Sequence, residues 1–364
     1  MSRRLRAGLV GFGFISQNGH TPAYLERRDT VGDIDIVAVA DICEARRRLA
    51  QELIPGVRVY PDHESMISAE AGRLDFVDIA TPPSDHPRIA HAAFDAGLHV
   101  LCEKPMATTD ADARSMLEHA RRARRVLFPV HNYKHAPVVK AIRNALNTHP
   151  IGKIQLVTLA TYRTTHAKGV PEWRPDWRRE RRYSGGGIAM DHGAHTFYLA
   201  FDWLGAYPLA VSATAATIGD YDTESTISCN LRMPTGTVVA SLTWNAGFRK
   251  VIYTIHGERG GIRVEDDELE VTTILGPNGA SGPQTRSERF VVPSLWKDAS
   301  HRAWFNSLFD EFKAAIDRND FVGRDAIDAY MCVRTITSAY ASAQSGSREI
   351  PTVADAGLAL QGTA

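Results

Sequence analysis

The chain has 364 residues, and its 42 Lys and Arg side chains balance 42 Asp and Glu, so the formal net charge is zero. This length suggests two domains, and 44% hydrophobic residues with 23% charged ones are ordinary for a globular enzyme. The balanced charge argues against binding to nucleic acid or to a membrane surface, because both require a basic patch. No apolar run in the sequence is long enough for a membrane-spanning helix.

The four cysteines are scattered along the chain, at Cys43, Cys102, Cys229 and Cys332. They form neither a zinc-binding spacing nor a dense disulfide framework. We therefore expect a cytoplasmic protein without a metal site.

The first 130 residues alternate short apolar runs with helical patterns, such as those at 87–96 and 110–124. Strands that alternate with helices form βαβ units and a parallel sheet, and right-handed crossovers bring the carboxyl ends of the strands to one edge. The predicted strands are 5–10, 34–40, 75–80, 98–102 and 126–130.

After about residue 150 the pattern changes to strands joined by short turns, which is typical of an antiparallel sheet. A long helix is predicted at 186–204, an exposed loop at 275–287, and two amphipathic helices close the chain. The predicted strands are 153–162, 209–217, 225–232, 237–245, 250–256 and 261–264.

A glycine-rich loop follows the first predicted strand, with the sequence Gly11-Phe12-Gly13-Phe14-Ile15-Ser16. The first glycine permits a tight turn, and the second lets a pyrophosphate approach the backbone at the start of a helix. Serine replaces the third glycine and is small enough for close packing. This context predicts a dinucleotide site.

Asp41 ends the second predicted strand. A carboxylate there can hold both ribose hydroxyls of NAD, and it would repel the 2′-phosphate of NADP. The alternative is that Asp41 caps the following helix. Arg46 and Arg47 lie close behind, so the residues alone leave NADP open.

Lys104 lies in a Glu-Lys-Pro sequence that a predicted strand delivers to the same edge of the sheet. It can bind a substrate oxygen or relay a proton, or it is an ordinary loop lysine. Downstream, Asp191 and His195 are four residues apart on a predicted helix and share one face. Imidazole suits the removal of a hydroxyl proton, and an aspartate can orient it. The alternative is a surface ion pair or a core histidine.

Taken together, these motifs resemble the Gfo/Idh/MocA family (glucose–fructose oxidoreductase and inositol dehydrogenase) over nearly the whole chain. The matching stretches are the glycine loop, Asp41, 79–86, 96–105, Trp177-Arg178 and 185–195. The resemblance implies an α/β fold, with a Rossmann NAD-binding domain at 1–130. A C-terminal α+β domain at 131–364, with a large, mostly antiparallel open sheet, would bind substrate and form a homodimer or homotetramer.

The resemblance also implies hydride transfer between NAD and a secondary hydroxyl of a sugar, a cyclitol or a derivative. His195 would be the general base, Lys104 would bind the same oxygen, and Asp191 would position substrate and base. The peptide bond between Lys104 and Pro105 is a candidate for the cis form. Cofactor contacts are expected from Gly11, Phe12, Gly13, Phe14, Ile15, Asp41, Thr81, Pro82, His86, Glu103, Lys104, Trp177 and Arg178.

At two places the sequence departs from the family pattern, so the substrate of a known member cannot be assigned to this chain. The run from His131 to His135 replaces an Asn-x-Arg-Phe-like sequence, and His192 is unusual in its motif. Two alternative functions remain, an NAD-dependent glycosidase that oxidises its sugar transiently and a non-catalytic sensor. Substrate contacts are expected from Lys104, Asn132, Tyr133, Lys134, Tyr162, Trp173, Asp191, His192 and His195.

Overall fold

The computed structural model describes residues 4–276, 284–294, 296 and 301–352. The chain divides into two compact units whose segments alternate along the sequence. The first unit contains the described residues of Met1–Asn132, Ala167–Gly186 and Asp298–Val333, and the second those of Tyr133–His166, Gly187–Lys297 and Arg334–Ala364.

The secondary-structure elements are numbered in chain order. The strands are β1 Leu5–Val10, β2 Ile34–Ala40, β3 Arg58–Tyr60, β4 Phe76–Ile79, β5 His99–Cys102, β6 Leu127–Pro129, β7 Ile154–Tyr162, β8 Ala210–Ala216, β9 Thr226–Met233, β10 Gly236–Thr243, β11 Lys250–Gly257, β12 Gly260–Glu265, β13 Glu268–Ile274, β14 Thr285–Val291 and β15 Ile350–Pro351. The helices are α1 Thr21–Thr30, α2 Glu44–Leu53, α3 His63–Ala69, α4 His86–Asp95, α5 Asp110–Ala123, α6 Pro137–Thr148, α7 Arg181–Ser184, α8 Ala194–Leu204, α9 Arg302–Asp317 and α10 Arg324–Gln344. Ser16–His20 and Ala189–Gly193 form π-helical turns before α1 and α8.

The first unit is built on a six-stranded parallel sheet with the order β3-β2-β1-β4-β5-β6. This is the strand order of a Rossmann fold, so the predicted fold class is confirmed. The central strands are apolar because helices cover both faces of a parallel sheet. Phe305, Phe309 and Phe312 of α9 join the core beside β1 and β4. A helix from the end of the chain therefore completes the core of the first unit.

The second unit carries a nine-stranded sheet with the order β14-β13-β12-β11-β7-β10-β9-β8-β15. Neighbouring strands are antiparallel except β7 and β10, which pair in parallel. This confirms the mostly antiparallel sheet, whose strands alternate buried and more exposed residues. The predicted loop at 275–287 is partly wrong, because Thr285 to Ser287 belong to β14. Residues 277–283 of that loop lie outside the described residues.

None of the helices within the described ranges combines the length and the apolar character needed to cross a membrane.

Candidate active site

The glycine loop is tightly packed at Gly11 and Ser16, whereas space remains beside Gly13. Gly11 has a φ of 89°, and a Cβ atom there would lie 2.9 Å from the backbone of Ala80. Ser16 Oγ donates a 2.5 Å hydrogen bond to the Gly11 carbonyl oxygen. At Gly13, no atom of the described residues other than its chain neighbours lies within 4 Å of the Cβ position. The space beside Gly13 fits the predicted approach of a pyrophosphate to the backbone.

Both carboxylate oxygens of Asp41 accept backbone N–H groups, and one of these groups belongs to the glycine loop. Oδ2 accepts the Phe12 N–H at 2.6 Å, and Oδ1 accepts the Cys43 N–H at 2.7 Å. Burial raises the pKa of Asp41, and these two donors act in the opposite direction. The carboxylate therefore follows β2 in a fixed orientation at the glycine loop.

The two arginines behind Asp41 make hydrogen bonds to backbone oxygens. Arg46 is buried, and its Nε donates to the Phe12 carbonyl oxygen at 2.7 Å. Arg47 Nη1 donates to the Asp41 carbonyl oxygen, also at 2.7 Å. Arg46 therefore supports the glycine loop through its backbone, and Arg47 supports the turn that follows β2.

The loop after β4 is fixed by His86. Its ring is fully buried, with Nε2 2.9 Å from the Thr81 carbonyl oxygen and Nδ1 3.0 Å from that of Pro105. Burial lowers the pKa of His86. Thr81 Oγ1 is buried and has no hydrogen-bond partner among the described residues. An orphaned hydroxyl beside the glycine loop also fits a polar cofactor group.

The Glu-Lys-Pro sequence leaves β5 at the same edge of the sheet. The peptide bond between Lys104 and Pro105 is cis, which confirms the prediction. Glu103 is buried, and its Oε2 accepts the Lys104 N–H at 3.0 Å. The Lys104 side chain itself is half-buried.

The segment that carries Trp173, Trp177 and Arg178 belongs to the first unit. The Arg178 guanidinium lies 4.3 Å from the centre of the Trp177 ring. Trp173 packs edge-on against Tyr183, with ring centres 5.4 Å apart. The Tyr183 carbonyl oxygen accepts the Ser84 N–H at 3.2 Å. This hydrogen bond brings the segment to the loop that carries Thr81, Pro82 and His86.

Glu224 holds the start of the helix that carries Asp191 and His195 in the second unit. Its Oε2 accepts the Gly187 N–H at 2.8 Å, and its Oε1 accepts the Ala189 N–H at 2.9 Å. A Cβ atom at Gly187 would lie 1.8 Å from the Glu224 carbonyl oxygen, so only glycine fits. The sequence analysis missed Glu224, because no spacing links it to a helix that begins far upstream.

The His195 ring is buried and contacts two tyrosines. It stacks on Tyr133 with ring centres 3.8 Å apart and an angle of 11°. Its Nδ1 lies 3.3 Å from the hydroxyl of Tyr198, which also accepts the Tyr133 N–H at 3.1 Å. If Nδ1 carries the proton of this contact, Nε2 keeps the lone pair that a base requires. Tyr198 lies on the predicted face of the helix, and its spacing of three from His195 is the signal for this role.

The other predicted substrate residues differ in what they contact. Lys134 Nζ lies 5.6 Å from the centre of the Tyr198 ring, and His192 Nε2 lies 3.8 Å from Asp191 Oδ2. Tyr162, at the end of β7, packs against Phe248. Asn132, in the first unit, has a buried Oδ1 without a hydrogen-bond partner among the described residues. Within the second unit, Tyr133, Lys134 and His195 share contacts through Tyr198.

Two family sequence models match the chain. One, described as an oxidoreductase family with an NAD-binding Rossmann fold, matches residues 5–131. The other, described as the C-terminal alpha/beta domain of that family, matches residues 143–352. The chain belongs to the Gfo/Idh/MocA oxidoreductase family. The resemblance is thereby confirmed, and the first unit contains an NAD-binding Rossmann fold.

The relatives and solved structures that resemble the chain include dehydrogenases named for apiose, glucosides and levoglucosan. D-apiose dehydrogenase of Paraburkholderia graminis is 39% identical over 150 residues, which are 41% of this chain and 38% of that protein. D-glucoside 3-dehydrogenase of Escherichia coli is 29% identical over 223 residues, or 61% of this chain and 60% of that protein. In both, the match spans less than two thirds of the relative. A structure of levoglucosan dehydrogenase in complex with NADH has a TM-score of 0.81 at 22% identity, covering 96% of this chain and 100% of that chain.

Proposed function

We propose that this protein transfers a hydride between NAD and a secondary hydroxyl of a sugar, a cyclitol or a derivative of either. The observation that carries the proposal is the buried His195 ring, held by Tyr133 and Tyr198 in a chain that belongs to an NAD-binding oxidoreductase family. The sugar dehydrogenases among its relatives support this substrate class.

The proposed cofactor site uses the edge of the Rossmann sheet. Bound NAD would supply the hydride acceptor or donor. Gly13 leaves space for the pyrophosphate, Asp41 presents a fixed carboxylate to the ribose, and the Thr81 hydroxyl offers an orphaned polar group. We also propose that Glu103, Trp177 and the other residues expected from the sequence to contact the cofactor do so.

The proposed proton chemistry uses three side chains of this chain. His195 takes the proton of the substrate hydroxyl during oxidation and returns it during reduction. Lys104 binds the reacting oxygen, and Asp191 positions the substrate. Tyr198 fixes the ring of His195 through Nδ1. The side chains of this protein thereby handle the proton of the reacting hydroxyl.

The proposal is tested by screening sugars, cyclitols and their acids for NADH formation, and then testing His195→Ala and Lys104→Ala on the best substrate. We expect each variant to lose turnover by roughly 10²–10⁴-fold, the usual contribution of acid–base catalysis, while NAD still binds. His256→Ala is the control, because His256 is an exposed histidine of the second unit. Near-normal turnover in either variant would refute its role. Release of free sugar without net NADH would instead indicate a glycosidase.

The pH dependence gives a separate test of the base. If His195 must be neutral to accept a proton, kcat/KM for oxidation rises with pH through one apparent ionisation, and reduction is favoured at lower pH. Because neighbouring groups titrate together, the apparent value belongs to the site. The profile is measured in the wild-type enzyme and in His195→Ala. An unchanged profile in the variant would remove His195 from the role of base.

We also propose that the nine-stranded sheet forms the contact between subunits of a homodimer or homotetramer. One face of the sheet is covered, whereas alternate residues of β9 and the end of β8 are exposed. Light scattering after gel filtration measures the mass of the assembly, and a monomer of 40.0 kDa would refute the proposal.

A reducing, cytoplasmic setting is proposed as well, and it agrees with four free cysteines.

A further inference from the structure

A buried cluster of charged side chains lies next to the proposed cofactor site. His20 ends the π-helical turn after the glycine loop, Asp78 lies in β4, and Glu103 follows β5. His20 Nδ1 is 2.7 Å from Asp78 Oδ2, and His20 Nε2 is 3.0 Å from Glu103 Oε1. His20 and Asp78 are fully buried, and Glu103 is only 7% exposed. The cluster therefore interacts without screening by water.

The geometry indicates that His20 carries a positive charge. Each ring nitrogen faces a carboxylate oxygen, and a neutral imidazole has only one N–H to donate. Asp78 Oδ2 also accepts the Tyr24 hydroxyl at 2.9 Å, so this oxygen has two polar partners. Burial is the largest influence and lowers the pKa of His20, but Asp78 and Glu103 together raise it to about 10.

Glu103 connects this cation to the backbone of Lys104. Its Oε1 accepts from His20, and its Oε2 accepts the Lys104 N–H at 3.0 Å. Asp78 Oδ1 has no hydrogen-bond partner in the described part of the chain. His20 is therefore the cation that lies between the two carboxylates. Without it, two buried carboxylates would face each other without a positive charge between them, which is unfavourable.

We propose that His20 is a positioning residue, a permanent imidazolium that holds Glu103 by a hydrogen bond and thereby fixes Lys104 at the end of β5 for the reaction. The functional part of this inference rests on the proposed role of Lys104. The charge state of His20 is independent of it. The other titratable groups that face the cluster are Tyr24 and Cys102.

The charge state is tested in the full chain labelled with ¹⁵N-histidine. At pH 8 an ordinary histidine, with a pKa near 6.5, is neutral. We expect both ring nitrogens of His20 to give imidazolium shifts at this pH, and the signal is assigned by its loss in His20→Gln. A neutral His20 at pH 8 would overturn the proposal. Because no substrate is needed, failure of the proposed reaction does not affect this result.

The positioning role is tested by His20→Gln, which keeps an N–H donor but cannot carry charge. We expect kcat to fall by about tenfold or more with little change in the substrate KM, because Lys104 is displaced by less than a bond length. Adding Asp78→Asn removes one buried negative charge and should restore part of kcat. His63→Gln, which removes another buried histidine of the same unit, is the matched control.

The outcomes separate positioning from general stability. Equal kinetics in His20→Gln and His63→Gln would overturn the proposal, as would a double variant that is no more active than His20→Gln. If His20→Gln does not fold, Asp78→Asn alone is used, and the signal that it moves assigns His20. The Asp78→Asn substitution should lower the pH at which His20 titrates. An unchanged titration would contradict the proposed interaction between His20 and Asp78.

Discussion

Asp41 is the single residue on which the choice between NAD and NADP is expected to depend. Both of its oxygens accept backbone N–H groups, so the carboxylate cannot rotate away from the proposed ribose position. Arg46 and Arg47 donate to backbone oxygens at this point. The fixed negative charge, rather than these arginines, should govern the interaction with a 2′-phosphate.

We expect NAD to bind more tightly than NADP, by about tenfold or more, since a 2′-phosphate would face the Asp41 carboxylate. Asp41→Ala should narrow this difference. Asp41→Asn should do the same while keeping one acceptor for the loop. Titration of both cofactors into the wild type and the variants measures the effect.

Asp35→Asn is the control for this comparison, because Asp35 also lies on β2 but pairs at 3.8 Å with Arg4, away from the glycine loop. It should leave the ratio of the two affinities unchanged. Tighter binding of NADP by the wild-type protein would contradict the prediction.

At the scale of elements, the helix that carries Asp191 and His195 depends on Glu224. The carboxylate accepts N–H groups at the positive end of the helix dipole, and Tyr340 donates to its Oε1 at 2.9 Å. An amide in the same place could accept through one oxygen only. Its NH₂ group would face a backbone donor.

We therefore expect Glu224→Gln to lower the free energy of unfolding by about 2 kcal/mol, because a charge-assisted hydrogen bond and the interaction with the dipole are lost. Tyr340→Phe should cost about 1 kcal/mol. Urea titration measures both changes. Turnover of Glu224→Gln should fall more than its KM rises, since the helix positions Asp191 and His195.

The control is Glu349→Gln, which removes an exposed ion pair with Arg232 in the second unit. An exposed substitution should change stability by no more than about 0.5 kcal/mol. If Glu224→Gln were equally mild, the carboxylate would not hold the helix.

At the scale of the whole molecule, alkaline pH should destabilise the fold. The pKa of a histidine in the unfolded chain is near 6.5, whereas that of His20 in the fold is raised to about 10. Its contribution to stability is complete below the unfolded value and is lost as the pH rises through the folded value. Burial raises the pKa of Cys102 and of Tyr24, so their ionisation in the unfolded chain acts in the same direction.

We expect the free energy of unfolding to fall by about 3 kcal/mol between pH 7 and pH 9.5, and by less in His20→Gln. Urea titration at several pH values measures this. His63→Gln should keep the slope of the wild type, because burial lowers the pKa of His63 and its linkage lies in the acid range. Parallel slopes in wild type and His20→Gln would contradict the prediction.

The sequence by itself determined the class of the fold and the position of the dinucleotide loop. These follow from local features: apolar runs that alternate with helices, and glycines at the start of a helix. The same features predicted β1 and β2 with their observed bounds. Short or polar elements, such as β3 and β14, show no clear periodicity of apolar residues and were not predicted.

Only the tertiary structure decided which distant residues act on the predicted site residues. His20 meets Asp78 and Glu103 across 58 and 83 residues of chain, and Glu224 caps a helix that starts 37 residues earlier. The packing of α9 in the Rossmann core is another contact between residues that are far apart in the sequence. Such contacts depend on how strands are ordered in a sheet and where helices pack, and a local pattern carries no record of either. The sequence thus pointed to the groups proposed to meet the cofactor, and the fold decided what holds them in place.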